Sequence, residues 1–148
     1  MELKIMSLED SVKTILSRDA YLIRIKDKDW FDKNQLPQIK KSGSPNLIIK
    51  GYQFDDIEYN SNPSTWEGME CYYSFNKNIA KEIISDFNDN FKKGMDLLVH
   101  CLLGESRSPA IGISLNEIYS LGFNSTELKK EYPRYNRLIY RIMKNISK

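Results

Sequence analysis

Apolar and polar positions alternate in blocks along the 148 residues, and each block carries the period of one element. LKIMS, residues 3–7, reads as a short strand, and Ser7 followed by Glu9 and Asp10 predicts a capped, acidic helix start running to about Leu16. YLIRI (Tyr21 to Ile25) is a second strand and NLIIKGYQF a third. Between them, KDKDWFDKNQLPQIKKSGSP holds Pro37, Gly43 and Pro45 and is mostly loop, with room for one helical turn. DDIEYNSNPST follows as a polar, turn-rich stretch with no core of its own, which puts acidic residues at a strand's end. From Tyr72 to Phe91, the residues Phe75, Ile79, Ile83, Ile84, Phe87 and Phe91 recur at helical spacing, and Gly94 is expected to stop that helix. MDLLVH is a near-continuous apolar run suited to a buried central strand. PAIGISLNEIYSL predicts a helix with Pro109 in its first turn and Gly122 just past its end. EYPRYNRLIYRIMKNI spaces Leu138, Ile139, Ile142 and Met143 as a closing amphipathic helix, with Arg134, Arg137, Arg141 and Lys144 outside. Alternating strands and helices predict an α/β fold: a central, mostly parallel sheet of four to five strands flanked by helices, one domain over residues 1–148, without repeat or linker.

Composition narrows the function classes. With 41% hydrophobic residues the chain can bury a sizeable core. Twenty-two Lys and Arg against 20 Asp and Glu give a formal net charge of +2, too little for a nucleic-acid or membrane footprint, so any anion recognition has to be local. No apolar run approaches the ~18 residues of a membrane span, and a cytoplasmic protein is expected. Cys71 and Cys101 are too few for a disulfide framework and match no zinc spacing, so free thiols, no metal and no cofactor are expected.

The chemistry concentrates in HCLLGESRS, between the MDLLVH strand and the following helix. Open α/β sheets place ligand sites at such strand-to-helix turns. Backbone N–H groups there cradle an anion, and the helix dipole adds partial positive charge. These dipoles and the Arg107 charge favour the thiolate of Cys101 as a nucleophile. Arg107 offers a planar fork for two phosphate oxygens, which lysine does not. Gly104 lets the backbone turn its N–H groups inward. Ser108 can donate a hydrogen bond to the cysteine sulfur, His100 orders the loop through its ring nitrogens, and Ser106 bonds locally.

His-Cys-(x)5-Arg-Ser resembles the signature loop of the cysteine-dependent protein tyrosine phosphatases. Its GxSRS form is most similar to the dual-specificity branch and its small bacterial and phage members. The resemblance covers roughly Ile48 to Ile142 and implies a phosphatase-type fold, metal-free hydrolysis of phosphate monoesters, and a phosphocysteine intermediate. It implies Cys101 as nucleophile, Leu102, Leu103, Gly104, Glu105, Ser106 and Arg107 as the phosphate loop, and Ser108 assisting thiolate departure. The loop would take phosphate, sulfate or vanadate, and the partner would be a phosphorylated protein or small phosphate monoester. GYQFDDIE resembles the place of the general-acid aspartate. Asp55 and Asp56 lie 46 and 45 residues before Cys101; Asp56 is the first candidate, Asp55 the second and Glu58 a weaker third. The loop's variable positions carry no Lys or His, and an inward Glu105 would repel a multiply charged ligand, which favours a monophosphate. Asn136 resembles an asparagine that opens the family's last helix as a cap. Cys71 reads first as a packed thiol and second as a disulfide partner of Cys101, and Trp66, Tyr72 and Tyr73 read first as core or staple and second as flanks of a phosphotyrosine ring. The alternatives from other classes are a catalytically silent phosphate-binding module and a thiol-redox or sulfur-transfer enzyme. The latter is disfavoured by the missing Cys-x-x-Cys.

Overall fold

A computed structural model describes residues 1–27, 36–57 and 74–148. Its strands are β1 (Leu3–Ser7), β2 (Ile15–Leu16), β3 (Ala20–Lys26), β4 (Lys40–Lys41), β5 (Leu47–Gln53) and β6 (Asp96–Cys101). Its helices are α1 (Leu8–Lys13), α2 (Lys77–Asn90), α3 (Arg107–Tyr119), α4 (Ser125–Glu131) and α5 (Arg137–Ile146). The main sheet has the order β1-β6-β3-β5 and is parallel throughout; β2 and β4 pair separately. The expected α/β architecture is therefore observed.

The two central strands explain the layering. All six residues of β6 and the first six of β3 are buried, as required of a parallel strand covered on both faces. Alternation then sorts their side chains. Tyr21, Ile23, Ile25, Leu97 and Val99 face a core shared with Ile83 and Phe87 of α2, Ala110, Ile111 and Leu115 of α3, and Ile139 and Met143 of α5. Leu22 and Leu98 face a smaller core with Met6, Leu16 and Ala20.

Several boundaries depart from the sequence reading. Ser7 caps α1 as expected, its hydroxyl accepting the Asp10 N–H at 3.0 Å, but the helix ends at Lys13. Thr14 is extended, and Leu16 reaches the smaller core from β2 instead. Helix α2 starts later than Tyr72, where the Asn76 side chain accepts from Asn78 and Ile79, and it ends with Phe91 as cap, ahead of Gly94. Helix α3 is closed by Ser120 in the left-handed region (φ 50°), two residues before Gly122. The DDI segment is not core-free, since Asp55 and Ile57 are buried. Helix α4 and strand β4 were not anticipated. The first buries no residue and the second is two exposed lysines, so neither carries an apolar period. Glu58, Trp66, Cys71, Tyr72 and Tyr73 lie outside the described residues.

Candidate active site

Cys101 ends β6 and Arg107 begins α3, so residues 102–106 form the turn at the C-terminal edge of the sheet. The turn is braced from below by β1. Gly104 has φ +74°, and a Cβ there would stand 2.6 Å from the backbone of Met6 and Ser7. Only glycine satisfies both the angle and the approach. The Leu8 N–H donates to the Leu102 carbonyl at 3.1 Å, and the Ser108 hydroxyl lies 3.4 Å from the Met6 carbonyl.

The Cys101 sulfur is buried and already solvated by the loop. The Gly104 N–H donates to Sγ at 3.3 Å, and the Ser108 hydroxyl lies 3.2 Å from it. With sulfur as thiolate, both groups are donors, which stabilises the anion. Arg107 is buried; its Nη1 pairs with Asp27, the residue after β3, and donates to the Phe54 carbonyl at 2.9 Å. A guanidinium has five N–H donors, so Nη1 is committed and the Nε/Nη2 edge carries the remaining fork. His100 is fully buried, and burial together with the neighbouring Arg24 charge pushes its pKa down to about 4. The ring is therefore neutral and only weakly basic near pH 7, and its Nδ1 lies 3.4 Å from the Cys101 carbonyl oxygen.

Asp56 is exposed and tied to the same turn. Its Oδ1 accepts from the Ser106 hydroxyl at 2.7 Å and the Asn136 side-chain amide at 2.8 Å. Ser106 thus reaches across to Asp56 and makes no side-chain cap on α3. Asn136 caps α5 as expected, its Oδ1 accepting the Ile139 N–H at 3.0 Å. It does more than cap, because its amide also donates to the Ile57 carbonyl at 3.1 Å. Asp55, next in sequence, is buried. Glu105 is exposed and turns to Arg134 at 3.5 Å, beside a shallow recess of about 280 Å³ lined by Glu131, Tyr132 and Pro133 as well. Leu102 is half-buried and Leu103 is 69% exposed at the rim.

The structure therefore brings Cys101, Arg107, Ser108, the loop 102–106 and Asp56 together. Two partners escaped the sequence reading. Asp27 had the signal used for Asp55 and Asp56, an acid just past a strand, and Arg24 is a cation inside the apolar run YLIRI. Among the described residues, no cluster of three or more His, Cys, Asp or Glu is arranged to hold a metal ion.

No family model and no curated protein matches the chain. Among solved structures it is similar to Tk-PTP, a protein tyrosine phosphatase, in a glycine-to-alanine mutant form, with 14% identity, 99% of this chain and 89% of that chain covered, and a TM-score of 0.50. The fold is tyrosine-phosphatase-like. The same protein in its active form matches at 15% identity over 98% of this chain and 89% of that chain, with a TM-score of 0.48. At these identities the likeness is one of fold. Within it, the Cys101 turn occupies the C-terminal edge of the parallel sheet, beneath the N-terminus of α3.

Proposed function

We propose that this chain is a cysteine-dependent phosphatase that hydrolyses phosphate monoesters through a phosphocysteine intermediate. The observation that carries the reading is the Cys101 sulfur, held at the end of a central strand by the Gly104 N–H and Ser108, at the mouth of a turn that ends in the buried Arg107. In the first step Sγ attacks phosphorus, an S–P bond forms and the P–O bond to the leaving group breaks. The backbone N–H groups of 102–107 and the Nε/Nη2 edge of Arg107 hold the three non-bridging oxygens. Asp56 gives its proton to the departing alkoxide or phenoxide. In the second step water attacks phosphorus, Asp56 takes its proton, the S–P bond breaks, and inorganic phosphate leaves. Ser108 then donates to the restored thiolate.

Exposure and the bond to Ser106 favour Asp56 over the buried Asp55 as the acid. The GESRS form of the turn favours a dual-specificity enzyme, acting on phosphotyrosine and on phosphoserine or phosphothreonine in proteins. The absence of Lys and His from the turn's variable positions favours a monophosphate group, whereas Glu105 points outward to Arg134 and does not supply the repulsion expected of an inward carboxylate.

The test is hydrolysis of para-nitrophenyl phosphate with chelator present. Turnover by the parent, none by Cys101→Ser, and a kcat lowered about 10²-fold or more in Asp56→Asn but not in Asp55→Asn is the expected result. An inactive parent that still binds vanadate would instead make the chain a silent phosphate-binding module.

A further inference from the structure

Arg24 and His100 stand opposite each other in the pairing of β3 with β6, on the sheet face shared with Leu22 and Leu98. The Arg24 Nε–H donates to His100 Nε2 at 2.8 Å. A guanidinium carries donors only, so Nε2 must present its lone pair, and the single proton of the neutral ring sits on Nδ1. Nδ1 lies 3.4 Å from the carbonyl oxygen of Cys101, the last carbonyl of β6 before the turn. Arg24 is only 7% exposed, and its Nη2 has no hydrogen-bond partner among the described residues. A buried guanidinium with one end unmatched is a poor way to stabilise a fold, since an apolar residue of similar volume would do better. Its placement calls for another role.

We propose that Arg24 is a positioning residue for the anion turn, acting through His100: it fixes the ring proton on Nδ1, and that N–H holds the Cys101 carbonyl outside the cradle. The N–H groups of 102–107 converge on an anion only while the carbonyl ahead of them points away. With the proton on Nε2 instead, the Nδ1 lone pair would face the Cys101 oxygen at close range, and repulsion would turn that peptide. In a neutral ring, Arg24 is what excludes this tautomer. Met6 of β1 lies opposite His100 in register on the other side, so among the described residues Arg24 is the charged group facing the ring from the paired strands. The consequence for turnover rests on the phosphatase reading, whereas the tautomer and the loop geometry do not.

The chain has one histidine, so its imidazole nitrogens can be read without assignment ambiguity by ¹⁵N NMR. The parent is expected to show Nδ1 protonated and Nε2 unprotonated at pH 7. Arg24→Met is expected to show a mixture of tautomers, several-fold slower alkylation of Cys101 by iodoacetamide, and an unfolding midpoint no lower than the parent's. Arg24→Lys, which keeps a donor-only group, should restore the tautomer and most of the alkylation rate, whereas the Arg24→Gln amide can donate or accept and should leave a mixture. The inference is overturned by a parent ring protonated on Nε2, by parent-like tautomer and alkylation in Arg24→Met, or by a ring in Arg24→Lys no better fixed than that in Arg24→Gln. Should Arg24→Met fail to fold, the parent ring and the Gln and Lys pair still decide. If these results hold and the parent turns over no phosphate ester, the phosphatase reading fails and the inference stands.

Discussion

Asp27 and the Phe54 carbonyl take one nitrogen of Arg107 and leave its opposite edge for an anion. A carboxylate this near a phosphate site could either compete with the ligand or aim the arginine. The added grip of the Phe54 carbonyl on the same nitrogen favours aiming, because a freely competing carboxylate would need no second anchor. Asp27→Ala is therefore expected to raise the inhibition constant for vanadate and lower kcat/KM, each about tenfold. Tighter vanadate binding in that variant would show competition instead. Asp56 poses a separate question at the same scale, since a general acid matters most for poor leaving groups. The loss in Asp56→Asn should be larger with phenyl phosphate than with para-nitrophenyl phosphate, and equal losses on both esters would remove Asp56 from that role.

Elements hold these residues in place, and two joints between elements make measurable commitments. The approach of Gly104 to β1 leaves no space for a methyl group and needs a positive φ. Gly104→Ala should cost about 2 kcal/mol or more in urea unfolding and slow Cys101 alkylation. Asn136 joins α5 to the segment after β5 through one side chain that accepts and donates. Asn136→Asp keeps the acceptor for the Ile139 N–H but replaces the donor by a second carboxylate beside Asp56. At this buried position the unpaired carboxylate should cost about 2 kcal/mol or more in thermal unfolding as well as lower kcat, whereas Asn136→Ala loses the bonds without adding a charge. The turn itself was legible in the sequence because Cys101 to Ser108 are contiguous and their apolar flanks have clear periods. Helix α4 was not, because a seven-residue helix without a buried residue has no apolar stripe to read. Arg24, Asp27 and the amide bonds of Asn136 were hidden for another reason. Their partners lie 76 or more residues away, and strand register and helix packing are absent from any local pattern.

At the scale of the molecule, four parallel strands among the described residues end on one edge. Strand β1 supports Gly104, β3 delivers Asp27, β5 leads to Phe54, Asp55 and Asp56, and β6 ends in Cys101. A parallel sheet collects these ends by construction, whereas an antiparallel one would send alternate strands to the opposite edge. Among the described residues, no helix is long and apolar enough to cross a membrane. Burial of His100 beneath that edge ties global stability to acid. The folded ring titrates at about 4, below the ordinary histidine value of 6.5, so between these limits the unfolded chain binds a proton that the folded chain refuses. Stability is at its full value above about pH 6.5 and is lost as pH falls toward 4, by a few kcal/mol from this group. Urea midpoints at pH 7 and pH 5 should therefore differ more for the parent than for His100→Gln, and equal differences would mean that His100 is not the group responsible. The central claim is covalent chemistry at Cys101, and acid quenching of the parent during turnover, followed by mass spectrometry of the peptide that carries Cys101, tests it most directly. The account predicts a phosphoryl adduct on Cys101 that is absent in Cys101→Ser; turnover with no adduct on that peptide, or with one on another residue, would contradict it.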